Sequence, residues 1–81
     1  MPRFYFDVRE GQSFISDDEG LEFPSLEMAE QEAIEAAAGI GKDRLPRGDT
    51  REVTVEVCNE RRQRVLTVKI SLEIDRVHPA P

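Results

Sequence analysis

One run of residues, Ser25–Ile40, limits what this 81-residue chain can become more than any other. It is the only stretch with a helical apolar period. On a 3.6-residue wheel, Leu26, Ala29, Ala33, Ala36, Ala37 and Ile40 form one stripe. Glu27, Gln31, Glu32 and Glu35 point away from it, Ile34 lies at the margin, and Met28 falls on the polar side. Ser25 follows Pro24 and precedes the stripe, so its hydroxyl is placed to accept from the unpaired N–H groups of the first turn. Alanine dominates the stripe, which brings the helix close to whatever it covers. A larger residue at Ala33 or Ala36 is expected to overpack, at about 1–3 kcal/mol. Two endings fit the sequence. Gly41 can close the helix in a left-handed conformation, with Lys42 and Arg44 near the negative end of the dipole. Alternatively, a ragged last turn runs on towards Leu45, and Pro46 stops it.

The flanking segments alternate with period two, the mark of half-buried strands. In residues 3–9, Phe4, Phe6 and Val8 share one face, and Arg3, Tyr5, Asp7 and Arg9 the other. Ser13–Ser16 follows the Glu10-Gly11-Gln12 turn and completes a hairpin. Asp17–Gly20 reads as a loop, with Leu21 and Phe23 as apolar points on the way to the helix. Phe23 is expected to pack on the first helical turn. After the polar connection 42–50, Val53, Val55 and Val57 alternate with Glu52, Thr54, Glu56 and Cys58. A turn at Asn59–Gln63 leads to the longest strand, with Leu66, Val68, Ile70, Leu72 and Ile74 on its inner face.

The expected fold is therefore α+β: a two-layer sandwich, β-β-α-β-β, with a four-stranded antiparallel sheet and one helix on one face. Pairing the first strand with the third gives the spatial order 2-1-3-4. A single domain is expected over residues 1–76, followed by a flexible C-terminal tail at 77–81. So small a chain is marginally stable alone, which favours self-association. The last strand, an edge in this arrangement, is the expected place, over residues 64–75.

The net charge of −6 conceals an asymmetry. Glu10–Glu35 holds nine acids and no Lys or Arg; from Ala36 onwards seven acids meet nine bases. A strongly acidic half speaks against binding to a phosphate backbone, so a nucleic-acid partner is not expected. Tyr5 is the one aromatic on the outer sheet face, too few for stacking bases. No apolar run approaches membrane-spanning length, and no signal-peptide core precedes the first strand. With one cysteine and no internal disulfide, the cytoplasm is the expected compartment.

Catalytic chemistry finds little footing. His78 is the only histidine and lies in a Pro-rich tail, away from any expected element. Cys58, near Arg61 and Arg62, has no histidine placed to activate it and reads as an exposed or partly covered thiol. Gly39-Ile40-Gly41 follows a helix, whereas a phosphate loop precedes one. Asp17-Asp18-Glu19-Gly20 is the best metal candidate but lacks the alternating ligands and distal Glu of a calcium loop. No cofactor, metal site or catalytic residue is assigned, and the chain is expected not to be an enzyme.

Two acidic features remain. On the helix flank, Glu27/Glu30 and Glu32/Glu35 place like charges at i,i+3 with no Lys or Arg to relieve them. Together with Asp17, Asp18 and Glu19, residues Glu27, Glu32 and Glu35 form the expected surface for a basic protein partner. The alternative is a small-ligand or metal-binding domain using loop 17–22.

Met1-Pro2-Arg3-Phe4-Tyr5-Phe6-Asp7-Val8-Arg9-Glu10-Gly11, Asp18-Glu19-Gly20-Leu21-Glu22, the Ala29…Glu32-Ala33 helix and Leu66-Thr67-Val68-Lys69-Ile70-Ser71-Leu72-Glu73 together resemble a family of short bacterial proteins known only as a domain of unknown function. That resemblance covers nearly the whole chain and implies a small cytoplasmic protein, with no functional residues to carry over. A looser resemblance, on Asp18-Glu19-Gly20, Phe23-Pro24 and Ala29…Glu32-Ala33, is to the antitoxins of HicB-type pairs. The Pro-Asp-Leu-Pro-Gly segment of those antitoxins is missing, and no DNA-binding extension follows residue 76.

Overall fold

The computed structural model describes residues 1–79. Five strands and one long helix occur in the order β1 (Arg3–Glu10), β2 (Ser13–Ile15), β3 (Leu21–Glu22), α1 (Leu26–Arg44), β4 (Glu52–Cys58) and β5 (Arg64–Ser71), with a 3₁₀ turn at Leu45–Arg47 before β4. The sheet is antiparallel, in the order β2-β1-β4-β5, with β3 added beside β1. The expected two-layer α+β sandwich is correct, and so is the pairing of the first strand with the strand that follows the helix. Expected residues 80 and 81 of the tail lie outside the described residues; Val77, His78 and Pro79 are exposed and without regular structure.

The core follows from the alternation and the alanine stripe. Val55 and Val57 from β4 and Phe4 from β1 meet Ala29, Ala33 and Ala37, and Phe6, Val8, Phe23, Leu66, Val68 and Ile70 pack around them. Ala29, Ala33 and Ala37 are wholly buried. With no side chain beyond Cβ, they let the helix lie directly on the valines. Ser25 caps α1 as expected, accepting from the Met28 N–H at 3.3 Å. Leu26 departs from the expected stripe: it is exposed, because the helix meets the sheet only from Ala29 onwards. Phe23 stacks edge-on against Phe6, with ring centroids 5.9 Å apart.

Three boundaries differ from the sequence reading. Of the two helix endings, the longer one occurs. Gly41 lies inside the helix and is buried, where an added Cβ would stand 3.4 Å from Ile70 Cγ2 and Leu45 Cδ1. Those are ordinary contact distances, so Gly41 does not close the helix in a left-handed turn, and Gly48 takes the left-handed position after Pro46 instead (φ 82°). The last strand stops at Ser71, short of Ile74. Beyond Arg51, which accepts from the Leu72 N–H at 2.9 Å, β4 offers no further partner. Leu72 and Ile74 are consequently exposed, not inward. Finally, Leu21–Glu22 forms a two-residue strand, too short to show any periodicity in sequence.

Candidate functional site

The same edge of β1 serves two strands. Near its start, Phe4 lies opposite Leu21 of β3; near its end, Val8 lies opposite Ile15 of β2. Phe6, between them, pairs with Val57 on the far edge of β1 but has no strand partner on this one. Its N–H donates instead to Asp17 Oδ2 at 3.0 Å, while Asp17 Oδ1 accepts from Glu19 N–H and Gly20 N–H, each at 3.0 Å. A carboxylate thus fills a gap in the ladder and closes the turn that separates β2 from β3. Gly20 is required there. Its φ is +71°, and a Cβ would stand 2.7 Å from the Phe4 carbonyl oxygen. Burial raises the Asp17 pKa, but the N–H groups of Gly20, Phe6 and Glu19 and the charge of Arg62 outweigh it. The carboxyl is held below its ordinary value.

On the outer face, a second network anchors the same loop. Asp7 is buried and accepts from Asp17 N–H at 2.9 Å; Arg62 Nη2 lies 3.5 Å from it. Arg62 also donates to the Asp17 carbonyl and to Ser16 Oγ, both at 3.2 Å, and its guanidinium stands 4.5 Å over the Tyr5 ring. Cys58 Sγ donates weakly to Asp7 Oδ2 at 3.8 Å. The expectation of an exposed or partly covered Cys58 thiol is corrected. It does face outward, but it is buried, and burial followed by the Asp7 charge pushes its thiol up, with Arg62 pulling less strongly the other way. Two further pairs of opposite sign lie on this face, Arg9 with Glu56 at 3.7 Å and Lys69 with Glu52 at 3.9 Å.

On the helix side of the gap is an open cleft of about 570 Å³. Phe6, Ile15, Leu21 and Ala36 supply apolar walls; Ser16, Asp17, Asp18, Glu19, Gly20 and Glu32 complete the lining. No Lys or Arg is among these residues. Of the six acids singled out in the sequence, Asp17, Asp18, Glu19 and Glu32 meet here, drawn from a loop and a helix. Glu27 and Glu35 are exposed on α1 and stand outside the lining. Their roles differ. Asp17 is a structural anchor whose oxygens already take three N–H donors, whereas Asp18 and Glu19 present exposed side chains. Among the described residues, no group of three or more His, Cys, Asp or Glu side chains is placed to hold a metal ion. The apolar part of the site was missed in sequence. Leu21 and Ile15 on adjoining apolar–polar strands carried the only signal, and the gap at Phe6 carried none.

Fold and site together define a small one-helix α+β domain with an acidic-rimmed cleft where the sheet edge is interrupted. The chain belongs to the family described as a domain of unknown function, DUF6894, whose model matches residues 3–71, from the start of β1 to the end of β5. No curated protein and no solved structure shows a match. The resemblance to HicB-type antitoxins is not shown by this family match. No helix is long and apolar enough to cross a membrane, among the described residues.

Proposed function

We propose that this domain is a small, non-enzymatic protein-interaction module that receives a basic segment of a protein partner in the cleft. The observation that carries the reading is the pairing of an apolar wall (Phe6, Ile15, Leu21, Ala36) with a rim of Asp18, Glu19 and Glu32 and no basic residue. Such a site suits a Lys or Arg whose neighbour is apolar: the stem and neighbour cover the wall, and the cation meets the rim. The surrounding field favours the same partner, since Glu10–Glu35 contributes nine acids and no base. A basic toxin masked by an antitoxin-like surface is one partner of this class, by analogy alone.

Capture of partners from the protein's own host at low salt tests the reading. Asp18→Lys with Glu32→Lys is expected to abolish capture of a basic protein, while Glu27→Lys with Glu35→Lys, outside the lining, retains it. Equal capture by both double variants would remove the cleft from the account.

The cleft's volume also falls within the range of small-molecule sites, which supports a second reading: a small cationic ligand or metal in loop 17–22. A ligand that binds only the native state raises the melting temperature. Thermal melts with calcium, magnesium and manganese separate the two, and no rise across that panel ends the metal version.

A further inference from the structure

β5 is the long open edge of the sheet, and the chain does not stop being strand-like where the ladder ends. The Leu72 N–H still points to β4, bonding to Arg51. By the alternation of an antiparallel ladder, Leu66, Val68 and Ile70 also direct their backbone groups to β4, and Thr67, Lys69 and Ser71 direct theirs outwards. Past Ser71 the same two-residue pattern continues, with Leu72 and Ile74 alternating with Glu73 and Asp75. Leu72 is 39% and Ile74 63% exposed. Residues 72–79 are all exposed and without regular structure, so the described residues leave this segment largely uncovered.

We propose that residues 67–75 pair antiparallel with the same segment of a second copy, about a two-fold axis at Ser71. This rests on the open edge and not on the cleft reading. Two requirements select that register. Inner-face residues must meet inner-face residues, because one face of each sheet is covered by its helix. Opposite charges must also face one another, since like charges directly across are destabilising. Centred on Ser71, Lys69 lies opposite Glu73 and Thr67 opposite Asp75 on the outer face. On the inner face Ile70 meets Leu72 and Val68 meets Ile74. The symmetry makes each of these pairs twice.

Neighbouring registers do worse. Centring on Lys69 sets Lys69 against itself; centring on Ile70 sets Lys69 against Ser71 and leaves Glu73 opposite Thr67. Centring on Leu72 pairs Lys69 with Asp75 but brings Arg76 onto Val68 within the paired span, whereas centring on Ser71 keeps Arg76 outside it. The Ser71 register also gives a partner to every outward backbone group of Thr67, Lys69 and Ser71 and covers the exposed Leu72 and Ile74. The occupant it specifies is a second copy because the segment is complementary to itself.

Sedimentation of the full chain over a range of concentrations, with charge reversals at this edge, tests the proposal. The native chain is expected to form a reversible dimer. Lys69→Glu or Glu73→Lys alone is expected to weaken it about tenfold or more, and the two together to restore it. Both side chains are exposed, so neither change threatens the fold, which circular dichroism checks. A chain that stays monomeric at every concentration overturns the pairing. A dimer indifferent to both single reversals, or one rescued by Asp75→Lys in place of Glu73→Lys, overturns the register.

Discussion

Arg62 Nη2 lies 3.5 Å from Oδ1 of the buried Asp7, and Arg62 sits in the β4–β5 turn with a left-handed backbone, φ 61°, its N–H donating to the Asn59 carbonyl at 2.9 Å. A non-glycine residue there costs about 1–2 kcal/mol. The expense is offset by the ion pair, the bonds to Ser16 and Asp17, and the stacking on Tyr5. Arg62 therefore joins the β4–β5 turn to the loop after β2, two segments far apart in sequence.

Arg62→Ala is expected to lower unfolding stability by about 1–2 kcal/mol, since Asp7 loses its cation while water partly compensates. Arg62→Gly removes the same contacts but relieves the backbone, so it is expected to be the milder change by about 1 kcal/mol. Urea unfolding of the two variants measures the difference. Identical losses would mean that the left-handed turn carries no strain.

Asp17 makes stability depend on acid. Its folded pKa is depressed, so the stabilisation is complete above the unfolded carboxyl's ordinary value of 3.8 and is lost as pH falls through the lower folded value. Unfolding stability measured from pH 6 downwards should fall in that window. Asp17→Ala should be less stable at neutral pH and lose part of this acid dependence. A variant with an unchanged acid profile would place the dependence on another carboxyl.

Two glycines are expected to respond in opposite directions. Gly20→Ala meets both the positive φ and the Phe4 carbonyl oxygen at 2.7 Å, and should destabilise the domain by about 2–3 kcal/mol. Gly39 lies exposed within α1, with nothing within 4 Å of an added Cβ. Gly39→Ala should stabilise the domain by about 0.5–1 kcal/mol through helix propensity. Thermal melts of both variants provide the check.

Cys58 is expected to react slowly with a maleimide at neutral pH while the protein is folded, because the thiol is buried and its pKa is raised. In strong denaturant the same thiol should label quickly. A folded-state rate matching the denatured one would mean that the outer face opens readily around Asp7.

Most of the frame was legible from local pattern. The valines of β4, the alternation of β1 and the alanine stripe each declare a buried face, and together they require a helix on an antiparallel sheet. What was not legible arises from contacts distant in sequence. Nothing around Asp17 indicates that it will cap Phe6, eleven residues away, because that depends on a break in strand pairing. Cys58 looked exposed because alternation reports which face a residue occupies and not what lies above it. The true end of β5 was hidden for a related reason: Leu72 and Ile74 continue the pattern after the neighbouring strand has run out. Half of the cleft was visible as acid and half invisible as wall. Glu32 joined the loop acids only once the helix was placed, whereas Glu27 and Glu35, indistinguishable from it by composition, point elsewhere.

Asp17 also divides labour within its own loop. Its carboxylate supplies the acceptors that close the turn, while among the described residues the carboxylates of Asp18 and Glu19 take no part in the hydrogen bonds and ion pairs found there. Those two positions can therefore change identity without disturbing the framework beneath them. A domain built this way is an interchangeable mount: its recognition chemistry can drift, or be rewritten by design, at a cost in stability close to zero.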